Sequence, residues 1–320
     1  MKYVGIHTQQ VRNNTKSVLL LALFPVIILA MVFLFLFIAV AATQDTEFTQ
    51  HYSTMELIFP FFLQAIPYTL GIVAVWFLIA YLSHSYIISH ATHSKPLERK
   101  EHKRVYNLVE NLCMSQGMNM PKINVIDDSS LNAFASGINK RSYTVTLTTG
   151  IIDKLNDDEL EAVIAHELTH IKNRDVRLLI ISIVFVGIFS LIAQMALNML
   201  RFSSVRSRDS KNNGAALLII AIIVAAVGYF ITSLMRFAIS RNREFMADAG
   251  SAEMTHNPLA LANALRKIAN DPEIEAVKRN DVAQLFIEHP LNKGDKKNAF
   301  TSLFATHPPI AKRIAVLEQF

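Results

Sequence analysis

Ala162–Asp175 reads AVIAHELTHIKNRD, and its centre, His166-Glu167-Leu168-Thr169-His170, sets two histidines four residues apart around a glutamate. Residues at that spacing share one face of a helix, so both imidazoles can turn to a single point, while Glu167 lies about 100° round the axis. The helix has a clear beginning. Asn156 can cap it and Glu159 stands three residues on, the spacing of a capping box. Leu160, Val163, Ile164, Leu168 and Ile171 supply its apolar face.

Two histidines and a glutamate in this pattern suit zinc chemistry. The imidazoles are ligands, and the glutamate takes the proton of a water that the metal acidifies, then hands it to a leaving amine. The spacing fits peptide-bond hydrolysis, but H-E-x-x-H also arises by chance. A catalytic zinc needs a third protein ligand. The best candidate lies in RNREFMAD, Arg241–Asp248, where Glu244 and Asp248 again stand four apart. Glu244 can ligate, and Asp248 can accept an N–H bond from a ligating histidine and so hold its ring. The competing reading is an exposed helix face whose acids pair with Arg241 and Arg243.

Working outward, the chain soon becomes apolar. Its 320 residues are 52% hydrophobic and 18% charged. That balance predicts membrane spans joined to a soluble part. Four stretches are long enough for a bilayer: Val18–Ala42, Leu57–Leu82, Leu178–Leu200 and Ala215–Met235. The first is too long for a signal peptide and reads as a retained anchor. Pro60, Gln64 and Pro67 interrupt the second, which predicts a kinked helix or a shorter span from Ile66.

Lys2, Arg12 and Lys16 precede span one, the loop 43–56 has no Lys or Arg, and Lys95, Arg99, Lys100, Lys103 and Arg104 follow span two. This places both the N-terminus and the soluble part on the cytoplasmic side. The loop Arg201–Asn213 carries four basic residues and conflicts with that orientation, which leaves a re-entrant hairpin as the alternative for segments three and four. His170 and Glu244 flank those two segments. They can share a metal only if the segments return the chain to the same side. The polar flank DKLNDDELEA ahead of the motif puts the site in water just off the bilayer, which keeps a water-using site compatible with a neighbouring span.

The net charge of +5 is spread along the chain and argues against nucleic-acid binding. The single cysteine, Cys113, excludes an intrachain disulfide and reads as a buried apolar residue. Leu97–Met118 has helical periodicity closed by Gly117 and Pro121. Lys122–Ile126 reads as a strand, and Tyr143, Val145 and Leu147 alternate with threonines as a half-buried one, which predicts a small antiparallel sheet.

The segments NAFASG (Asn132–Gly137), LTTGII (Leu147–Ile152), EAVIAHELTHIKNRD (Glu161–Asp175), SRNREFMADAGSA (Ser240–Ala252) and THPPIAKRIAVLE (Thr306–Glu318) resemble, in order and spacing, the HtpX-type membrane zinc endopeptidases. These are gluzincins related to the CAAX prenyl proteases. The resemblance covers about residues 95 to 320 and implies His166, His170 and Glu244 as ligands of one zinc per chain. It also implies Glu167 as general base, with Asp248 and Asp175 in support. It further implies an edge strand, Asn132, Ala133, Phe134, Ala135 and Ser136, that receives substrate backbone by strand pairing. Asn132 reads alternatively as a turn former, and His307 as either transition-state support or a loop brace. His84, His90 and His93 read as interfacial residues rather than a second metal site.

The expectation is a mainly α integral membrane protein with an α+β gluzincin-type metalloprotease domain, four transmembrane helices and a small antiparallel sheet. Residues 1–94 form a membrane region, 95–177 plus 236–320 the protease domain, and 178–235 an inserted hairpin. The implied role is cleavage of misfolded or damaged membrane proteins in protein quality control and the stress response, at the cytoplasmic face of a prokaryotic inner membrane. The partners are unfolded protein and the lipid bilayer. Three other readings fit the sequence less well. An intramembrane metalloprotease would carry its motif inside a span, a scaffold without catalysis would not need Glu167, and a prenyl-protein protease would have more spans.

Overall fold

The computed structural model describes residues 6–42, 52–203, 213–269, 287 and 308–320. The chain divides into two compact units. One is built from Met1–Ser17, Ser83–Ile180 and Arg236–Phe320, the other from Val18–Leu82 and Ile181–Met235.

The second unit is made of long apolar helices. They are α1 (Ile6–Ala42), α2 (Thr54–Thr92), α6 (Asp175–Ser203) and α7 (Asn213–Thr255), whose ends belong to the first unit. Runs over Val11–Ala41 and Thr54–Thr92 are long and apolar enough to cross a membrane. In α6 and α7 the apolar runs among the described residues are shorter, Gly187–Met199 and Leu218–Ile231. Among the described residues, two of the four expected spans therefore meet that length. α2 continues through Pro60 and Pro67 as one helix. The Phe24 ring meets Phe189 edge-on, 6.4 Å between centroids, and Gly228 makes room for Phe189, since a Cβ there would lie 2.3 Å from the ring. Phe61, Ile72 and Leu82 are exposed on this unit, as expected of lipid-facing side chains.

The first unit holds a four-stranded sheet. Its strands are β1 (Lys95–Pro96), β2 (Lys122–Ile126), β3 (Ala133–Ser136) and β4 (Thr144–Thr148), in the spatial order β1-β2-β4-β3. β3 and β4 pair antiparallel, but β2 and β4 run parallel, Ile123 opposite Val145. The sheet is thus mixed, not antiparallel as expected. β4 returns from β3 and slots between β3 and β2, so it must run with β2; alternation along each strand cannot reveal that insertion. The central position also buries β4 on both faces, threonines included. The connection from β2 to β3 covers Thr148, whose hydroxyl bonds to the Ser130 carbonyl at 2.7 Å.

Helices pack around this sheet. α3 (Lys103–Ser115) is shorter than its periodicity implied. It begins after a turn in which the Glu98 carbonyl accepts the Glu101 N–H. It buries Val105, Val109, Leu112 and Cys113. Burial pushes the Cys113 thiol up to about 11, which leaves it unreactive. α4 (Thr149–Lys154) follows β4 directly. α5 (Asp157–Lys172) starts with a complete capping box, Asn156 accepting the Glu159 N–H and the Glu159 carboxylate accepting the Asn156 N–H. α8 (Pro258–Ile268) packs on α5, where Lys267 reaches Glu159 at 2.7 Å, and the short α9 (Ile310–Leu317) packs on α8.

Candidate metal centre

α5 and the end of α7 meet through small residues. A Cβ on Gly250 would lie 2.4 Å from the Thr169 methyl, so only glycine allows this approach. One residue on, Ser251 donates to the Ala162 carbonyl at 2.6 Å. This contact brings Glu244 and Asp248 of α7 against the histidine face of α5. The Glu244 carboxylate straddles both rings, Oε2 at 3.7 Å from His166 Nε2 and Oε1 at 3.7 Å from His170 Nε2. The imidazoles stand nearly perpendicular, with centroids 4.8 Å apart.

One donor atom from each of His166, His170 and Glu244 lies within 4.8 Å of the others, and among the described residues no other group of three such side chains has this geometry. Tetrahedral ligands at zinc distances sit about 3.4 Å from one another. The two histidine–glutamate separations are within a few tenths of that, and two imidazoles with one carboxylate form a catalytic donor set. The residues present fit a divalent metal.

Each ring has its own acid behind it, His170 in a hydrogen bond and His166 in an ion-pair contact. His166 Nδ1 lies 3.1 Å from Asp248 Oδ1, and His170 Nδ1 lies 3.1 Å from Asp175 Oδ2. A carboxylate on Nδ1 orients the ring and leaves Nε2 for a metal. Asp175 returns toward His170 because the chain turns at Arg174, a non-glycine residue with a left-handed φ of 60°.

The electrostatics follow from burial. Burial alone pulls the His166 imidazolium down, but Asp248 and Glu244 outweigh it and raise the ring to about 9. Metal coordination at Nε2 therefore displaces a proton. Burial pushes the Asp248 carboxyl up, yet the Arg313 guanidinium and His166 outweigh it and hold Asp248 below the usual carboxylate range. Glu167 is pushed above that range, mainly by burial, with both histidines and a hydrogen bond from the Ala135 N–H opposing.

Arg313 is the member of the site that sequence reading missed. It is fully buried on α9 and grips Asp248 with two bonds, Nε to Oδ2 at 2.9 Å and Nη2 to Oδ1 at 2.7 Å. Its Nη1 lies 3.5 Å from Glu244 Oε2, and its Nη2 lies 3.5 Å from His166 Nε2. The only signal in sequence was its place in the THPPIAKRIAVLE segment.

The strand expected to receive substrate, β3, lies at the sheet edge. Its own chain uses that edge: Asn132 Oδ1 accepts the Ala133 N–H at 3.0 Å, and the Ala133 carbonyl accepts the Ile287 N–H at 2.8 Å. Asn132 is fully buried. His307 lies outside the described residues. His90 and His93 sit with ring centroids 6.3 Å apart and join no metal-ligating group of three among the described residues.

Residues 99–320 match the model of peptidase family M48. The chain belongs to peptidase family M48. It is 64% identical to a protease HtpX homolog of Bacteroides fragilis over 100% of both chains. A protease HtpX homolog of Dictyoglomus turgidum is 42% identical over 73% of this chain and 75% of that one. Among solved structures, S. mikatae Ste24p aligns at 24% identity with a TM-score of 0.46, over 80% of this chain and 58% of that one. The M48 chain is accordingly a metalloprotease, and it carries two helices of membrane-crossing length.

Proposed function

We propose that this M48 chain is a zinc-dependent endopeptidase, anchored by four membrane-crossing segments in a prokaryotic inner membrane. Its site faces the cytoplasm and cleaves misfolded or damaged membrane proteins. In this reading His166, His170 and Glu244 hold the zinc and Glu167 is the general base. The observation that carries it is the paired arrangement of the rings: each Nε2 lies 3.7 Å from Glu244, and each Nδ1 lies 3.1 Å from its own carboxylate.

A bound zinc would supply Lewis acidity toward a substrate carbonyl and an attacking water. The chain's own residues do the rest. Asp248 and Asp175 stand behind the imidazoles at Nδ1 and keep their Nε2 edges aimed at the metal position. Glu167 takes a proton from the attacking water and returns it to the leaving amine nitrogen. Burial of Glu167 and His166 limits competing water. The outer edge of β3 takes up the substrate backbone, exchanging the Ile287 N–H on Ala133 for one from the substrate. Backbone pairing of this kind gives little side-chain selectivity. A narrow consensus in a peptide library would contradict that part.

The deciding experiment compares wild type with Glu167→Gln, both stripped of metal in detergent and reloaded with zinc. Both are expected to bind about one zinc, while cleavage of an unfolded model protein falls about 10²–10⁴-fold in the variant. A variant that cuts as well as wild type would overturn the mechanism.

A further inference from the structure

The α1 helix contributes a residue to this site from far outside the family-matched region. Asn13, only 1% exposed, sits four residues before the end of the first unit's N-terminal segment. Its Nδ2 donates to Asp175 Oδ1 at 2.7 Å and to the Asn173 carbonyl at 2.8 Å. Both partners only accept, so the amide must present its NH₂ here and its orientation is fixed by chemistry. The other oxygen of the same Asp175 carboxylate faces His170 Nδ1 at 3.1 Å. Asn13 also clamps the turn itself, since Asn173 caps α5 and Arg174 carries the left-handed φ that leads into α6. The result is a relay of direct contacts from Asn13 through Asp175 to His170 Nδ1.

We infer that Asn13 is a positioning residue for the metal centre: its amide fixes the Asp175 carboxylate, which in turn aims His170. This rests on the proposed role of His170 as a ligand. A carboxylate that holds a histidine can rotate about its own side-chain torsions unless its second oxygen is tied. Asn13 ties it with a neutral donor that adds no charge. The tie comes from near the start of the run Val11–Ala41, which is long and apolar enough to cross a membrane. The base of the anchor helix is therefore part of the site's support, and residues 99–320 lack that support on their own.

The test measures zinc dissociation constants by chelator competition on the full chain in detergent. Asn13→Leu keeps the branched shape and removes the donors; Asn13→Ala is the second variant. Removing a partner behind a metal-bound histidine weakens binding about 10–100-fold, so that loss is expected for Asp175→Ala. A smaller loss, about 3–10-fold, is expected for either Asn13 variant. The double variant Asn13→Leu/Asp175→Ala should bind no more weakly than Asp175→Ala alone, because Asn13 acts through Asp175. Cobalt-loaded Asn13→Leu should show a shifted visible spectrum, which a purely structural role would leave unchanged. Ser17→Ala, one turn along the same helix, should bind zinc as wild type does. A folded Asn13 variant with the wild-type constant overturns the inference. So does a loss that multiplies in full with that of Asp175→Ala, or an equal loss in Ser17→Ala. His170→Ala separates the two levels: if it keeps zinc, the ligand reading fails. If it loses zinc while Asn13→Leu does not, only this inference fails.

Discussion

Helices α5 and α9 both point buried polar side chains at the same place, yet they do so in opposite ways. α5 carries its chemistry in a run of five residues: two histidines at helical spacing, a glutamate between them, and a start fixed by its own capping box. α9 is eight residues long, has no side-chain cap, and contributes a single arginine. That arginine is as buried as His166 and meets Asp248, Glu244 and His166 within 3.5 Å. The comparison teaches that the two histidines and Glu167 are local in sequence, whereas the third donor, Glu244, and the outer partners Asp248, Arg313 and Asn13 are not. His166 is held by Asp248, which is held by Arg313. His170 is held by Asp175, which is held by Asn13.

The sharpest way to break the comparison is to remove the nonlocal partner. Arg313→Met leaves Asp248 buried without its cation. Breaking a buried pair from one side costs about 3–5 kcal/mol. Urea unfolding of the metal-free protein should show that loss, with zinc affinity falling as well. If Arg313→Met is as stable as wild type, α9 is packing and not part of the site.

A smaller effect is expected where α5 meets α7. Gly250→Ala would push a methyl into Thr169 and cost about 1–3 kcal/mol through overpacking. Adding Thr169→Ala should recover most of it, because the atoms nearest the new Cβ are the Thr169 methyl and hydroxyl. Failure of the double variant to recover stability, by thermal melt, would mean that the close approach is not what sets the spacing of Glu244 from the histidines.

The smallest expected effect is in the protons. With His166 raised to about 9, zinc binding at pH 7 should release about one proton from this ring, read by calorimetry in buffers of different ionisation heat. Affinity should then rise about tenfold per pH unit on approaching 9, absent other titrations. For the metal-free protein the sign is reversed. A histidine raised from 6.5 stabilises the fold below 6.5, and that contribution is lost as pH rises through about 9.

The same contrast explains what could be read in advance. His166, Glu167 and His170 were legible because helical spacing alone puts them together. Glu244 and Asp248 were legible because they repeat that spacing and because a catalytic zinc needs one more ligand. Arg313 was not, since Lys312 beside it looks the same in sequence and only the position of Asp248, 65 residues away, decides which one turns inward. Asn13 stands next to Asn14, and nothing local marks which of the two will find Asp175, 162 residues on. In the sheet, the alternation of Val145 and Leu147 with threonines located β4. It did not reveal that β4 is inserted beside β2, which makes the pair parallel and buries both faces.

The most direct test of the central claim is X-ray absorption at the zinc edge on the loaded full-length protein, wild type beside Glu244→Gln. The account predicts about one zinc per chain, with nitrogen and oxygen neighbours at about 2.0–2.1 Å, two of them imidazole. It also predicts that Glu244→Gln either loses the metal or loses one oxygen neighbour. A spectrum unchanged in Glu244→Gln at full zinc occupancy would contradict it.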